Sequence, residues 1–143
     1  MSLRSAIKLA RGFDEIRAYI AAAVTPFGRS TPADKKKRKE LAEKHLRVFA
    51  QTYFPHHCTA PFSPMHEHLL ASAQELIDKA ETTGEGGKEA DAAPRGNAKS
   101  TIILLILPLW VTISKKRKFI LLVSDTTEQA EELLEIIKAE LEV

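Results

Sequence analysis

The sequence predicts an α/β fold in which N-terminal helices precede part of a layered domain of helices and a sheet. Three observations support this prediction. A polar loop at residues 93–101 leads directly into an apolar segment at 102–107. A continuous apolar run at 118–124 is typical of an interior parallel strand. The remaining apolar residues recur at helical spacing, so the order loop, helix, strand, helix indicates the opening of an α/β sandwich.

The elements before the loop are predicted to be helices. Apolar residues at helical spacing predict a first helix over residues 3–23. Thr31 is the expected cap of a second helix, which begins at Pro32 and continues to about residue 52. Ser63 and Pro64 repeat this signal at the start of a third helix. Residues 82–90 are rich in Gly and Glu and are expected to form an exposed loop.

The segment after the loop is predicted to be a buried helix packed on a sheet. Residues 101–113 are almost wholly apolar, but 13 residues are too few for a membrane span, which takes about 20, and Pro108 interrupts them. The strand at 118–124 follows, and a last helix starts near residue 127. The apolar strand that normally precedes a phosphate loop is missing, so that strand is either very short, about residues 90–93, or the loop has drifted from a functional sequence.

The charged residues are unevenly distributed along the chain. Residues 1–58 hold 12 Lys and Arg against five Asp and Glu, whereas residues 59–143 hold nine against 14. We therefore expect a basic helical region at 1–58 and a second region at 59–143. The basic run at 35–39 either contacts the phosphate backbone of DNA or forms a solvated helix face.

The loop has the residue types that phosphate binding requires. The ordinary phosphate-binding loop reads G-x-x-x-x-G-K followed by Ser or Thr, and aligning its lysine on Lys99 places Ala93 and Ala98 at the glycine positions. A lysine can reach the β- and γ-phosphates, and the hydroxyl of Ser100 can bind Mg²⁺. The helix N-terminus that follows favours an anion. The chemistry of the loop therefore predicts an NTPase.

The loop resembles the variant Walker A loop of the large terminase subunits of tailed bacteriophages, the ATPases that pump DNA into capsids. In that family a basic residue lies four positions before the lysine, and Arg95 has this place here. The likeness covers about half of the chain, from about Tyr53 to the end, with an interruption before Ala92. Outside the loop it includes residues 54–55, 62–70, 108–110, 119–126, 129–130 and 137–142.

The resemblance implies a nucleotide site that holds ATP and Mg²⁺. Lys99 would hold the β- and γ-phosphates, and Arg95 would sense or stabilise the γ-phosphate, which makes these two the expected catalytic residues. Ser100 would be the Mg²⁺ ligand, Thr101 would support the loop, and His66 would contribute to the adenine pocket. The expected nucleotide-binding residues are Pro94, Arg95, Gly96, Asn97, Ala98, Lys99, Ser100, Thr101 and His66.

The resemblance also implies partners and an incomplete enzyme. The expected partners are double-stranded DNA, the terminase small subunit and the capsid portal, with a homo-oligomer in the full-length protein, in the cytoplasm of a bacterial host. At 143 residues the chain is expected to be an N-terminal fragment, inactive alone, that lacks Walker B and the nuclease domain. Asp125 is the one Walker B candidate, but Thr126 and Gln129 fit a helix capping box better. The alternative is a small basic helical module that binds DNA or protein and keeps a relic loop.

Cysteine and histidine give weaker signals. A single cysteine, Cys58, excludes an internal disulfide framework, and no secretory signal is evident at the N-terminus. His56 and His57 are adjacent, and His66 and His68 are two residues apart, but these spacings match no zinc signature. The sequence therefore predicts surface or hinge histidines.

Overall fold

The computed structural model describes residues 6–7, 10, 12–92, 94 and 96–143, and this part of the chain is helical with no strand. The prediction of an α/β sandwich is wrong. The helices are α1 (Phe13–Ala23), α2 (Pro32–Lys44), α3 (Leu46–Tyr53), α4 (Pro64–Thr83), a π-helical segment (Thr101–Ile106) continuous with α5 (Leu107–Ile113), and α6 (Thr127–Glu142). None of the described helices is long and apolar enough to cross a membrane.

Capping residues begin two of the helices where the sequence predicts. The Thr31 hydroxyl accepts the backbone N–H of Asp34 at 3.2 Å, and the Asp34 carboxylate accepts the backbone N–H of Thr31 at 3.1 Å. Ser63 and His66 form the same reciprocal pair at the start of α4. The predicted first helix is interrupted before Phe13, since Ala10 is not helical and Gly12 is extended. Ala6 and Ile7 are helical, and residues 3–5, 8–9 and 11 lie outside the described residues.

The predicted second helix is divided into α2 and α3 at His45. The backbone of His45 is extended, with φ −129° and ψ 109°. Gln74 of α4 stabilises this break, because its side-chain oxygen accepts the Leu46 N–H at 2.9 Å and its side-chain nitrogen donates to the Lys44 carbonyl at 3.0 Å. A side chain from a distant helix thus satisfies backbone groups that a continuous helix would pair internally.

The main core lies where α3, α4 and α5 meet, and Trp110 is at its centre with no exposed surface. The indole N–H of Trp110 donates to the Ala42 carbonyl at 3.0 Å, which fixes α5 against α2. A smaller apolar cluster joins α1 to α6 through Ile16, Ile20 and Ala139. The apolar run at 101–113 is therefore a buried helix, as predicted, but it packs on other helices and not on a sheet.

The π-helical segment ends at Ile106, two residues before Pro108. Proline has no N–H, and its ring crowds the carbonyl four residues earlier, so an ordinary α-helix cannot continue through it without distortion. Here the Leu107 N–H instead reaches the Ile102 carbonyl, five residues back. The wider turn lets one continuous helix pass from the loop to α5.

The predicted strand at 118–124 is an extended segment without a partner strand in the described part of the chain. Phe119, Leu121 and Val123 are 79%, 73% and 76% exposed, while Ile120 is packed against the core. An isolated strand leaves its backbone groups unpaired, and none of the described segments supplies a neighbour. The short strand suggested at 90–93 is not formed at residues 90–92, which are exposed coil. Ala93 lies outside the described residues.

Candidate phosphate-binding loop and adjoining cleft

The loop before the long buried helix contains two left-handed residues. Gly96 has φ +87° and Ala98 has φ +52°. Ala98 occupies the second glycine position of the ordinary phosphate-binding motif, so its backbone has the sign of φ that favours glycine although it carries a side chain. Its carbonyl accepts the Ile102 N–H at 3.1 Å, so Ala98 begins the helix.

His66 holds this loop against the start of α4. Its Nδ1 accepts the Ser63 backbone N–H at 3.1 Å, so the ring proton of the neutral form is on Nε2. Nε2 then donates to the Asn97 carbonyl at 2.8 Å. Both ring nitrogens are therefore engaged within the protein, and the contact that His66 makes here is with the loop itself; its role in an adenine pocket stays a prediction.

The other predicted loop residues lie around the helix start. Lys99 and Ser100 form the first helical positions, and Lys99 and Thr101 are half-buried while Ser100 is exposed. Pro94 is exposed, and its carbonyl accepts the Asn97 side-chain amide at 3.5 Å. The helix N-terminus directs first-turn N–H groups outward, which favours an anion. Arg95, the predicted γ-phosphate contact, lies outside the described residues.

A cleft of about 740 Å³ adjoins the loop. One wall holds Ala98, Ser100 and Thr101, and α6 supplies Gln129 and Glu132 on another. The volume is within the range of about 300–1,000 Å³ that is common for small-molecule sites. Three of the predicted phosphate-binding residues, Ala98, Ser100 and Thr101, therefore border a space large enough for a nucleotide.

His56 and His57 line the same cleft and meet Glu140 of α6. The Nε2 atoms of His56 and His57 lie 3.1 Å and 2.6 Å from Glu140 Oε1. Burial disfavours the charged carboxylate, but hydrogen bonds from the two histidines outweigh it and lower the pKa of Glu140. The side chains of His56 and Glu140 are each 3% exposed, so the prediction of surface histidines is wrong here. No local spacing in the sequence indicates this cluster, because His56 and His57 are 84 and 83 residues from Glu140.

The segment around Asp125 begins a helix. The Thr126 hydroxyl accepts the Gln129 backbone N–H at 3.3 Å, as the preferred interpretation predicts. The Gln129 side chain does not complete a reciprocal box here, since its oxygen accepts the Ser124 hydroxyl at 3.1 Å. These contacts confirm Thr126 as a helix cap, with Asp125 as the residue before it.

The basic run of the N-terminal region is a helix surface. Lys35, Lys36, Lys37 and Lys39 of α2 are all exposed. Lys36 and Lys39 lie 3.9 Å and 3.7 Å from Glu40 and Glu43, one helical turn later. Pairs of this kind contribute little to stability and are easily exchanged for other anions. The surface is therefore accessible to a polyanion.

Comparison of the chain with protein-family models, with curated protein sequences and with solved structures finds no match.

Proposed function

We propose that the chain binds the phosphates of MgATP through residues 94–101, as the ATP-binding portion of a phage terminase large subunit. The observation that supports the proposal best is the left-handed backbone at Gly96 and Ala98 immediately before a helix that begins at Lys99. A loop of this form, followed by a helix N-terminus, is the arrangement in which backbone N–H groups surround a phosphate.

The proposed mechanism relies on position and charge. Lys99 is the first helical residue, a position where a cation opposes the helix dipole and an anionic ligand is favoured. Lys99 would contact the β- and γ-phosphates and Ser100 would ligate Mg²⁺. Arg95 would stabilise the γ-phosphate, and Thr101 would support the loop. Mg²⁺ would also reduce the negative charge of the triphosphate, which Glu132 on another wall of the cleft would otherwise repel.

The proposed biological role is the powering of DNA packaging into a capsid. Double-stranded DNA, the terminase small subunit and the capsid portal would be the partners, in the cytoplasm of a bacterial host, and the full-length protein would assemble as a homo-oligomer. Hydrolysis would need an acidic residue that polarises water beside the Mg²⁺ ion. We assign this role to no described residue, because the one candidate in the sequence, Asp125, precedes the Thr126 cap of α6.

Isothermal titration calorimetry with MgATP tests the proposal. We expect weak binding by the wild type and a loss of about tenfold or more in affinity for Lys99→Ala, since a charge-assisted contact to phosphate contributes about 1.5–3 kcal/mol. Lys88→Ala is the matched control, because Lys88 is an exposed lysine outside the loop. No heat with the wild type, or equal heat for wild type and Lys99→Ala, would contradict the proposal.

A second candidate function is DNA binding by the exposed basic surface of α2, with the loop as a relic. The four exposed lysines of the basic run at 35–39 favour it. Binding of duplex DNA should weaken steeply as salt increases, and replacing Lys35 and Lys37 by Ala should reduce the slope of that dependence by about two. Salt-dependent DNA binding in a protein that does not bind MgATP would favour this candidate over the first.

A further inference from the structure

We propose that His56, His57 and Glu140 form a binding site for a divalent transition metal of the Zn²⁺ class. We call these three residues the His–Glu cluster. One ligand atom from each of the three residues lies within 4.8 Å of the other two, beside the cleft. The proposal does not depend on nucleotide binding, because the Mg²⁺ site proposed above uses Ser100 and phosphate oxygens and none of these side chains.

The turn after α3 explains how two adjacent histidines reach the same point. In a helix or a strand, neighbouring side chains diverge, which argues against a shared ligand. Here α3 has ended, and the Phe54 carbonyl accepts the N–H groups of both His57 and Cys58, at 3.0 and 2.9 Å. This tight turn brings the two imidazole rings to a centroid separation of 4.6 Å, with both Nε2 atoms directed at Glu140.

Packing holds the rings in this orientation. Phe54 is 4% exposed and lies against both imidazoles, with ring centroids 5.8 Å from His56 and 6.3 Å from His57. The side chains of His57 and Glu140 are 11% and 3% exposed. Ligands that are fixed before the ion arrives lose little conformational freedom on binding, which favours affinity.

The distances fit a tetrahedral ion. Two ligand atoms that are each about 2.05 Å from a tetrahedral Zn²⁺ ion lie about 3.3 Å apart. Glu140 Oε1 and Oε2 lie 3.1 Å and 3.2 Å from His56 Nε2. The contact of 2.6 Å between His57 Nε2 and Glu140 Oε1 would have to widen by about 0.7 Å, a shift within reach of side-chain rotation.

The charge of the cluster also favours a cation. Glu140 is a buried carboxylate, and its ion-pair partners in the described part of the chain are the two histidines. A buried carboxylate is costly unless a positive partner compensates its charge. A divalent ion supplies that charge and accepts the lone pairs of both imidazoles.

The type of ligand selects the type of metal. Imidazole nitrogen together with one carboxylate suits Zn²⁺ and its neighbours in the transition series, whereas Mg²⁺ and Ca²⁺ prefer oxygen alone. Three protein ligands leave one position of a tetrahedral ion for a water or a small anion, and the cleft beside His56 and His57 gives access to it.

Competition between the full chain and a chromophoric chelator for Zn²⁺ tests the site, after removal of adventitious metal with EDTA. We expect the wild-type chain to bind one Zn²⁺ ion. His57→Ala and Glu140→Gln should each lower the Zn²⁺ affinity by about tenfold or more. Glu142→Gln and His45→Ala are the matched controls, since both residues are exposed, Glu142 is on the same helix as Glu140, and His45 immediately precedes α3. Both controls should bind Zn²⁺ as the wild type does.

A second measurement identifies the geometry and excludes an effect of misfolding. Co²⁺ bound to the wild type should give the intense visible bands of a tetrahedral site, and Glu140→Gln, which is nearly isosteric, should lose them while its circular dichroism stays that of the wild type. Failure of the wild type to compete for Zn²⁺, equal Zn²⁺ affinity in Glu140→Gln, or a weak octahedral Co²⁺ spectrum would each overturn the proposal.

Discussion

Replacing Ala98 by glycine should stabilise the protein, although glycine usually destabilises. Ala98 has φ +52°, a conformation that costs an L-residue with a side chain about 1–2 kcal/mol. Glycine removes this cost but adds freedom to the unfolded chain, which opposes it by about 0.4–1 kcal/mol. The carbonyl of Ala98 accepts the first hydrogen bond of the buried helix, so the strain is present wherever that helix is formed. We expect a net gain of about 0.5–1 kcal/mol in the free energy of unfolding.

Two further substitutions serve as controls for this experiment. Lys115 also has a positive φ, +56°, at the end of α5, so Lys115→Gly should stabilise by a similar amount. Its turn has the paired hydrogen bonds of a helix end that favours glycine, from the Lys116 N–H to the Val111 carbonyl at 3.0 Å and from the Lys115 N–H to the Thr112 carbonyl at 3.1 Å. Ala92 is exposed coil without positive φ, so Ala92→Gly should leave stability unchanged or lower it.

Thermal unfolding followed by circular dichroism measures these differences. For a chain of this size, 1 kcal/mol corresponds to about 2–4 °C in Tm, so Ala98→Gly should raise Tm by about 1–4 °C. If Ala98→Gly instead lowers Tm as much as Ala92→Gly does, Ala98 is not left-handed. The loop then lacks the backbone geometry on which the proposed phosphate binding depends.

Three other substitutions or reactions test the core, the extended segment and the thiol. Trp110→Phe removes the hydrogen bond to Ala42 and leaves a cavity, and it should cost about 2 kcal/mol or more in urea unfolding; a cost near zero would contradict a buried Trp110. Leu121→Lys should change stability by less than about 0.5 kcal/mol and reduce self-association in light scattering, whereas a loss above about 2 kcal/mol would indicate a buried strand. Burial raises the pKa of Cys58 to about 11 from 9.0, so the thiolate fraction at pH 8 is about a hundredfold lower than in the unfolded chain. The raised pKa contributes stability below pH 9, which is lost as pH rises towards 11, and iodoacetamide should alkylate folded Cys58 far more slowly than the unfolded chain; equal rates would refute this.

Local signals in the sequence predict the helix starts well because capping is a local interaction. Thr31 and Ser63 each bond to a residue three positions later, and the sequence spacing alone indicates both pairs. The break at His45 could not be predicted in this way, because the group that stabilises it, Gln74, comes from another helix about 30 residues away in sequence. Interactions that cross the fold leave no local pattern.

The strand prediction at 118–124 failed for a related reason. A continuous apolar run is typical of an interior strand, but a strand forms only when neighbouring backbones accept and donate its hydrogen bonds. The described part of the chain contains no other strand that could pair with this segment, so Phe119, Leu121 and Val123 stay exposed. Composition identifies which residues prefer burial, and topology decides whether a surface exists to bury them.

The candidate site shows the same division between local and distant causes. The sequence alone indicates that the loop has the residue types that phosphate binding requires, and it predicts the helix that follows the loop. The His–Glu cluster could not, because adjacent histidines ordinarily diverge and Glu140 belongs to the last helix. Only the turn after α3, fixed by the Phe54 carbonyl, makes the two Nε2 atoms converge.

The loop is anchored here by a helix and not by a strand. A phosphate-binding loop ordinarily follows a strand whose hydrogen bonds fix where the loop begins. In this chain residues 85–92 are exposed coil, so that anchor is absent from the described residues before the loop. The His66 contact with the Asn97 carbonyl, at 2.8 Å, provides a substitute, because the same imidazole is bonded to Ser63 at the start of α4. The position of the loop therefore depends on the capping pair at the start of α4, and His66 would act on the proposed phosphate binding through the backbone that it holds.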